Sequence, residues 1–199
     1  PSRLSGGRAR KVSDVLDLKS SRAMDRGTLF HAWFEHVEWL DDGGPDESLL
    51  RLSQHFDSAG SEQAQMFREF QSMLDDPTLR ELLTRQQYAA PQAPAIANIL
   101  PETARDKPLR ADVYPQRSFA ILEDNRLIYG IIDRLVLIYD GQELFAADVI
   151  DYKPDTLEPD DPQSLAKMVD HYRPQLDSYR QAVARTFRLP LQHIAARLA

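Results

Sequence analysis

The sequence predicts an α/β fold, a sheet accompanied by helices, with a helical elaboration at the N-terminus. Two patterns lead to this prediction. Apolar side chains in the first half recur every three or four residues, as in amphipathic helices, whereas the second half contains β-type runs separated by short polar turns. At 199 residues, 42% of them hydrophobic, the chain is long enough for one domain with a buried core.

The helices of the first half are predicted from the spacing of their apolar side chains. Leu29, Trp33 and Val37, for example, follow one another at helical intervals and would share one face. The predicted helices cover Met24–Leu40, Ser61–Leu74 and Pro77–Leu83. The stretch that follows, Tyr88–Pro108, is rich in Pro and Ala and is predicted to be an irregular connection.

The second half predicts an antiparallel meander followed by a helix and a last strand. The strands of the meander are predicted over Asp112–Leu122, Leu127–Tyr139 and Leu144–Tyr152. The helix is predicted over Gln163–Phe187, and Pro174 inside it marks a kink or a fresh helix start. The apolar segment His193–Leu198 completes the order as a further strand.

Composition excludes several classes of protein. The absence of cysteine excludes disulfides, zinc–thiolate sites and iron–sulfur clusters, and it fits a reducing cytosol. The formal net charge of −7 argues against a module that coats nucleic acid, but not against a site built from acidic metal ligands. No apolar run approaches the roughly 20 residues that span a bilayer. No signal peptide is visible either, so a cytoplasmic location is expected.

The residues that carry chemistry are acidic side chains in two adjacent apolar strands. Asp133 interrupts the run Ile131–Leu135, and Asp151 and Lys153 share one face at the end of the next strand. A tight turn joins the two strands, which can bring both aspartates to the same edge. Converging carboxylates repel each other unless a cation intervenes, and they suit Mg²⁺. The alternatives are a structural salt bridge at Asp133 and a solvated ion pair at Asp151 and Lys153.

These segments resemble the central motifs of the PD-(D/E)XK nucleases. Gly130-Ile131-Ile132-Asp133-Arg134 is followed by Val149-Ile150-Asp151-Tyr152-Lys153-Pro154-Asp155. The pattern is most similar to the RecB-like branch, found at the C-termini of recombination helicase–nucleases. Two further motifs of that branch occur in the family's order: Gly27–His31 resembles Gly-x-x-x-His, and Tyr172–Tyr179 resembles Gln-x-x-x-Tyr.

The resemblance implies a restriction-endonuclease-like core, a mixed sheet flanked by helices, and a metal-dependent deoxyribonuclease of the exonuclease type. The implied metal ligands, for Mg²⁺ or Mn²⁺ as its substitute, are His31, Asp133, Asp151 and the backbone carbonyl of Tyr152. Lys153 would complete the catalytic set by orienting the attacking water and offsetting charge on the phosphate. Gln175 and Tyr179 would support the site or contact DNA, and their i, i+4 spacing places them on one helical face.

Some of these residues also allow ordinary interpretations. His31 lies beside an apolar stripe, where a packed histidine is common, and Tyr179 has the character of a core aromatic. Gln116 stands where the RecB-like branch often carries Glu, which affects metal affinity and the number of metals. Basic residues that could hold a DNA backbone, or only face solvent, are Arg22, Arg26, Arg105, Lys107, Arg110 and Arg134.

The expected organisation is a Gly-, Ser- and Arg-rich linker over residues 1–12 and a nuclease domain over residues 13–199, excised from a longer helicase–nuclease chain. The expected partners are DNA and a helicase motor, on the same chain or in the same complex, that feeds single strands to the site during recombination or repair. A catalytically inactive module that binds or guides DNA is the alternative function. An RNA nuclease or a structure-specific nuclease would use the same fold.

Overall fold

The fold was analysed in a computed structural model. It describes residues 10–11, 21–45, 48, 60–89, 96–104, 107–123, 125–153 and 162–199. The strands are β1 (Arg10–Lys11), β2 (Arg110–Glu123), β3 (Arg126–Asp140), β4 (Glu143–Asp151) and β5 (Ile194–Leu198). The α-helices are α1 (Ser21–Phe34), α2 (Gly60–Leu74), α3 (Pro77–Leu82), α4 (Gln86–Ala89) and α5 (Pro162–Phe187).

The strands form one mixed sheet with β3 at its centre. β2, β3 and β4 pair antiparallel, as the predicted meander requires, while β5 pairs parallel with β4 and β1 pairs parallel with β3. β4 pairs only with the second half of β3, and their pairing ends at Arg134 and Ile150. The first half of β3 continues with β2 as a hairpin past the end of β4, and this end is where the candidate site lies.

The two sides of the sheet are covered by different helices. Leu135 and Leu137 of β3 pack in one cluster with Val183 of α5, whereas Ile150 and Tyr152 pack with the aromatic residues of α1 and α2. That second cluster contains Phe30, Trp33, Phe34, Phe67 and Phe70. Alternate residues of a strand point to opposite faces, so β4 lies between the two clusters. Val149 packs in the cluster on the α5 side and Ile150 in the aromatic cluster on the other.

The predicted strands, α2 and α3 agree with the structure to within two residues at each end. Other predictions differ from it. The first helix ends at Phe34 instead of Leu40, because the guanidinium of Arg134 binds the backbone carbonyls of Val37 and Glu38 in the segment that follows. Of the two alternatives predicted for Pro174, a kink or a fresh helix start, the second is excluded because Pro174 lies inside one helix.

The segment predicted as irregular contains short ordered pieces in its described part, α4 and a 3₁₀ turn at Glu102–Ala104. Arg10 and Lys11 fall in the segment predicted as a linker, and they pair with Ile128 and Tyr129 of β3. Among the helices that the structure describes, none has the length and apolar character needed to cross a membrane.

Candidate active site

Asp133 and Asp151 face each other where β4 ends. The last paired residues of β3 and β4 are Arg134 and Ile150, so Asp133 is directly opposite Asp151 one step further along the ladder. The carboxylate of Asp133 accepts a hydrogen bond from the backbone N–H of Tyr152 at 2.9 Å. This hydrogen bond links Asp133 on β3 to Tyr152, the residue that follows Asp151.

Asp151 is the most enclosed group of the site, with 2% of its side chain exposed. Burial raises the pKa of Asp151, Lys153 lowers it and the charge of Asp133 raises it, and together they bring the pKa to about 7. The ammonium of Lys153 forms an ion pair with Oδ2 of Asp151. The side-chain amide of Gln175 donates to Oδ1 from 3.3 Å. Asp151 is therefore a buried carboxylate whose charge depends on a cation.

Asp133 has a different environment, with 12% of its side chain exposed and Nδ1 of His31 at 3.4 Å from its Oδ2. Burial raises the pKa of Asp133, but His31, the N–H of Tyr152 and the charge of Lys153 outweigh it and lower the pKa overall. The two carboxylates thus have pKa shifts in opposite directions. At neutral pH Asp133 is ionised, whereas Asp151 is only partly ionised in the metal-free protein.

Gln175 and Tyr179 form a second layer on α5. Nε2 of Gln175 lies 2.6 Å from the hydroxyl of Tyr179, and the ring of Tyr179 meets Phe119 edge-on at 5.6 Å. Gly130 makes this packing feasible, because a Cβ at that position would lie 3.0 Å from the Phe119 ring and 3.7 Å from Tyr179. The glycine of the strand motif therefore makes room for the aromatic pair that holds Gln175.

Gln116 lies opposite Asp133 on the other neighbouring strand, between the pairs Pro115–Arg134 and Arg117–Ile132. Its φ is +52°, so its backbone is left-handed and the ladder is interrupted beside Asp133. A non-glycine residue with this conformation is uncommon, and such residues concentrate at functional sites. The family resemblance identified the position, but the backbone conformation has no signal in the sequence.

Arg134 was one of the basic residues that could hold a DNA backbone or only face solvent, and the structure buries it instead. Arg134 is 1% exposed, and its Nη1 donates to the carbonyl of Val37 at 2.8 Å. Lys107 and Arg110 pair with Asp140 and Asp112 near the opposite end of β3, away from the two aspartates. Arg26 pairs with Glu69 at 3.1 Å. The Arg22 side chain and Arg105 lie outside the described residues.

Sequence reasoning did not single out Tyr172 or Asp148. The ammonium of Lys153 lies 4.4 Å from the ring centroid of Tyr172. Asp148 is fully buried on β4, where it accepts hydrogen bonds from Arg197 at 2.9 Å and Tyr88 at 3.0 Å. An acid inside the apolar run Leu144–Ile150 was a visible signal for a buried ion pair. Tyr172 stood inside a quoted motif, but nothing in the sequence paired it with Lys153.

The donor set fits a divalent cation. Oε1 of Gln175 is a buried oxygen with no hydrogen-bond donor among the described residues, and Oδ2 of Asp151 is a buried oxygen that faces the ammonium of Lys153. The side chains that the structure describes include no group of three or more His, Asp or Glu residues already at metal-binding separations. Two facing carboxylates, one with a raised pKa, nevertheless form a place where positive charge is favoured. A cation there would offset the repulsion between the carboxylates and the burial of Asp151.

The mixed sheet flanked by helices, with an acidic pair and a lysine at one strand end, defines an α/β protein of the PD-(D/E)XK nuclease fold. The family model described as the PD-(D/E)XK nuclease superfamily matches residues 4–199, nearly the whole chain, and the chain belongs to that superfamily. Membership indicates nuclease activity. No curated protein gives a significant match to the sequence.

Proposed function

We propose that this chain is a metal-dependent deoxyribonuclease whose catalytic residues are Asp133, Asp151 and Lys153. The observation that carries the proposal is the facing pair of carboxylates with opposite pKa shifts and an ammonium ion-paired to one of them. This is the arrangement that divalent-metal phosphodiester hydrolysis needs, because negative charge must gather around a cation beside a group that stabilises the phosphate.

The residues that would hold the cation are His31, Asp133, Asp151 and the backbone carbonyl of Tyr152. The two carboxylates and the carbonyl supply oxygen donors, which suit Mg²⁺ with Mn²⁺ as a substitute, and His31 supplies a ring nitrogen. A metal bound there would lower the pKa of a water molecule and neutralise charge on the scissile phosphate. Lys153 lies close enough to both aspartates to influence the pKa of each. Its remaining donors can orient the attacking water or bind a phosphate oxygen.

Gln175 acts on the reaction through Asp151. Its amide donates to Oδ1 of Asp151 and also contacts the hydroxyl of Tyr179, which is buried against Phe119. The rigid aromatic pair therefore restricts Gln175, and Gln175 in turn restricts the carboxylate. A side chain that must hold its position in the transition state benefits from such support.

Within the deoxyribonucleases, we propose that the chain is an exonuclease of the RecB-like type. It would act with a DNA helicase in recombination or repair in the cytoplasm. The four motifs in family order, from Gly27 to Tyr179, support it. On this proposal the chain is a nuclease domain whose motor lies on the same polypeptide or in the same complex. Single strands delivered by the motor would be the substrate.

An inactive module that guides DNA is the second candidate, and Gln116 favours it. A neutral side chain with a left-handed backbone lies beside Asp133, where the resemblance predicts Glu. The acidic pair and Lys153 argue against this candidate, because a module without chemistry has no need to bury Asp151 with a raised pKa.

A metal-dependence assay separates these functions. The chain would be incubated with end-labelled single-stranded, double-stranded and circular DNA, and with RNA, in Mg²⁺, Mn²⁺ or EDTA. We expect release of short products from linear DNA only when metal is present, with circular DNA resistant and RNA intact. Binding of DNA without cleavage under any of these metals would support the guiding module instead. Cleaved RNA with intact DNA would change the substrate class.

A further inference from the structure

We propose that Tyr172 is a positioning residue that holds the ammonium of Lys153 against the face of its ring. This inference rests on the proposed function, since it assigns Tyr172 a part in the step that Lys153 supports. Nζ of Lys153 lies 4.4 Å from the ring centroid, within the distance of a cation–π interaction. The Lys153 side chain is 14% exposed, so little water competes with the ring for its charge.

Tyr172 and Gln175 lie three residues apart on α5 and share one face of that helix. Gln175 contacts Asp151 while Tyr172 contacts Lys153, so one helical turn determines the positions of both partners of the ion pair. Of these two side-chain contacts with Lys153, the one from Asp151 involves a proposed metal ligand and the one from Tyr172 does not. When Asp151 binds a metal ion, its attraction for the ammonium of Lys153 falls, whereas the contact with the Tyr172 ring is kept.

The Tyr172 ring also orients the ammonium of Lys153. A lysine stem has four flexible carbons, and an ammonium without a fixed partner moves readily into water. The Tyr172 ring closes one side of the ammonium and Asp151 closes another, which leaves the third donor for a phosphate or water. Loss of the ring should therefore reduce the rate of the chemical step and leave substrate affinity nearly unchanged.

Kinetics of the full chain with Mg²⁺ and linear single-stranded DNA test this role. We expect Tyr172→Leu to lower kcat about 5- to 30-fold, the loss that a desolvated cation–π contact predicts, with little change in KM. Tyr172→Phe keeps the ring and should stay within about twofold of wild type. Val169→Ser, at an exposed site one turn earlier on α5, is the control for general damage to the helix.

Two comparisons separate positioning from simple packing. Tyr172→Leu should cause no further loss in a Lys153→Ala background, because the group that the ring holds is then gone. Replacing Tyr172 by phenylalanines with increasing ring fluorination keeps the shape of the ring and reduces the negative potential of its face. The attraction for the ammonium weakens with each fluorine, so kcat should fall stepwise. Equal losses in both backgrounds would overturn the proposal, and so would the absence of a trend with fluorination, which can be measured even if Tyr172→Leu fails to fold.

A measurement without catalysis keeps this test distinct from that of the nuclease itself. The acetylation rate of Lys153 in metal-free protein, read by mass spectrometry, should rise several-fold in Tyr172→Leu and in the fluorinated series. It should stay constant in Tyr172→Phe, and Lys107 at the far end of β3 provides the internal reference. An unchanged rate would overturn the inference. Wild-type protein that cleaves no DNA but shows this reactivity pattern would overturn only the proposed function.

Discussion

At the scale of single residues, the candidate site depends on two aspartates that the fold treats differently. Asp133 has partners that favour its charge, namely His31 and the N–H of Tyr152. Asp151 is buried, and in the absence of metal Lys153 is the cation paired with it. The sequence predicted that both would meet at one sheet edge. It could not predict the asymmetry, because burial and hydrogen bonding at each carboxylate depend on tertiary contacts.

The asymmetry predicts opposite effects on stability. The raised pKa of Asp151 means that its ionisation destabilises the fold progressively as pH rises from about 4 to about 7. At about 1.4 kcal/mol per unit of pKa, the penalty above pH 7 is at most about 4 kcal/mol. Asp151→Asn should therefore raise the melting temperature in EDTA at pH 8, and the gain should shrink towards pH 5.

Asp133→Asn should behave in the opposite way. Because the pKa of Asp133 is lowered, its charge adds stability above pH 4 that is lost as pH falls. Repulsion between the carboxylates alone would predict the reverse, a metal-free variant at least as stable as wild type. Thermal melts of both variants from pH 5 to pH 8 check the pair. Similar shifts in both variants would contradict the asymmetric environment.

At the scale of elements, strands and helices were predictable wherever local periodicity agreed with the final packing. The meander follows from alternating side chains and polar turns, and α2 and α3 follow from their apolar spacing. The end of α1 was not predictable, because it depends on Arg134, which lies about a hundred residues further along the chain and binds Val37 and Glu38. The left-handed backbone of Gln116 is another result of tertiary contacts.

Arg134 should therefore act as a structural residue. Its replacement by Met would leave the carbonyls of Val37 and Glu38 without their donors and would remove a cation from the face of Trp39, 4.8 Å away. We expect a loss of about 2–4 kcal/mol in urea unfolding, since buried polar groups left unpaired are costly. The exposed Arg80→Met is the matched control. A loss of stability below about 0.5 kcal/mol would contradict the structural role of Arg134 and would leave a contact with DNA as the alternative.

Ala199, directly after β5, also supports the site. Ala199 donates its N–H to the carbonyl of Asp151 at 3.1 Å, and its carbonyl accepts from the N–H of Lys153 at 2.8 Å. Ala199→Pro removes the first bond, whereas Ala199→Gly keeps both. We expect the proline variant to lose about 1 kcal/mol of stability and a larger share of cleavage rate than the glycine variant. Equal activities would show that this end of β5 does not position Asp151.

At the scale of the whole molecule, the sheet places the acidic pair between two helical layers. β4 ends at Asp151, β3 continues past it, and α1 and α5 approach the same place with His31 and Gln175. Four segments that are far apart in sequence thus converge at one strand end. The sequence predicted this convergence through motif order and strand alternation. It missed Tyr172, because no pattern in a single sequence reveals which ring a lysine will contact.

The measurement that tests the central claim most directly is the single-turnover rate of DNA cleavage by Lys153→Ala, made alongside its affinities for DNA and Mg²⁺. We predict a fall of about 10²–10³-fold in rate, as for other placed transition-state donors, with nearly unchanged affinities. Lys153→Arg should recover little, because a planar guanidinium does not replace a compact ammonium. A wild type that cleaves no DNA, with Lys153→Ala that only weakens DNA binding, would contradict the account.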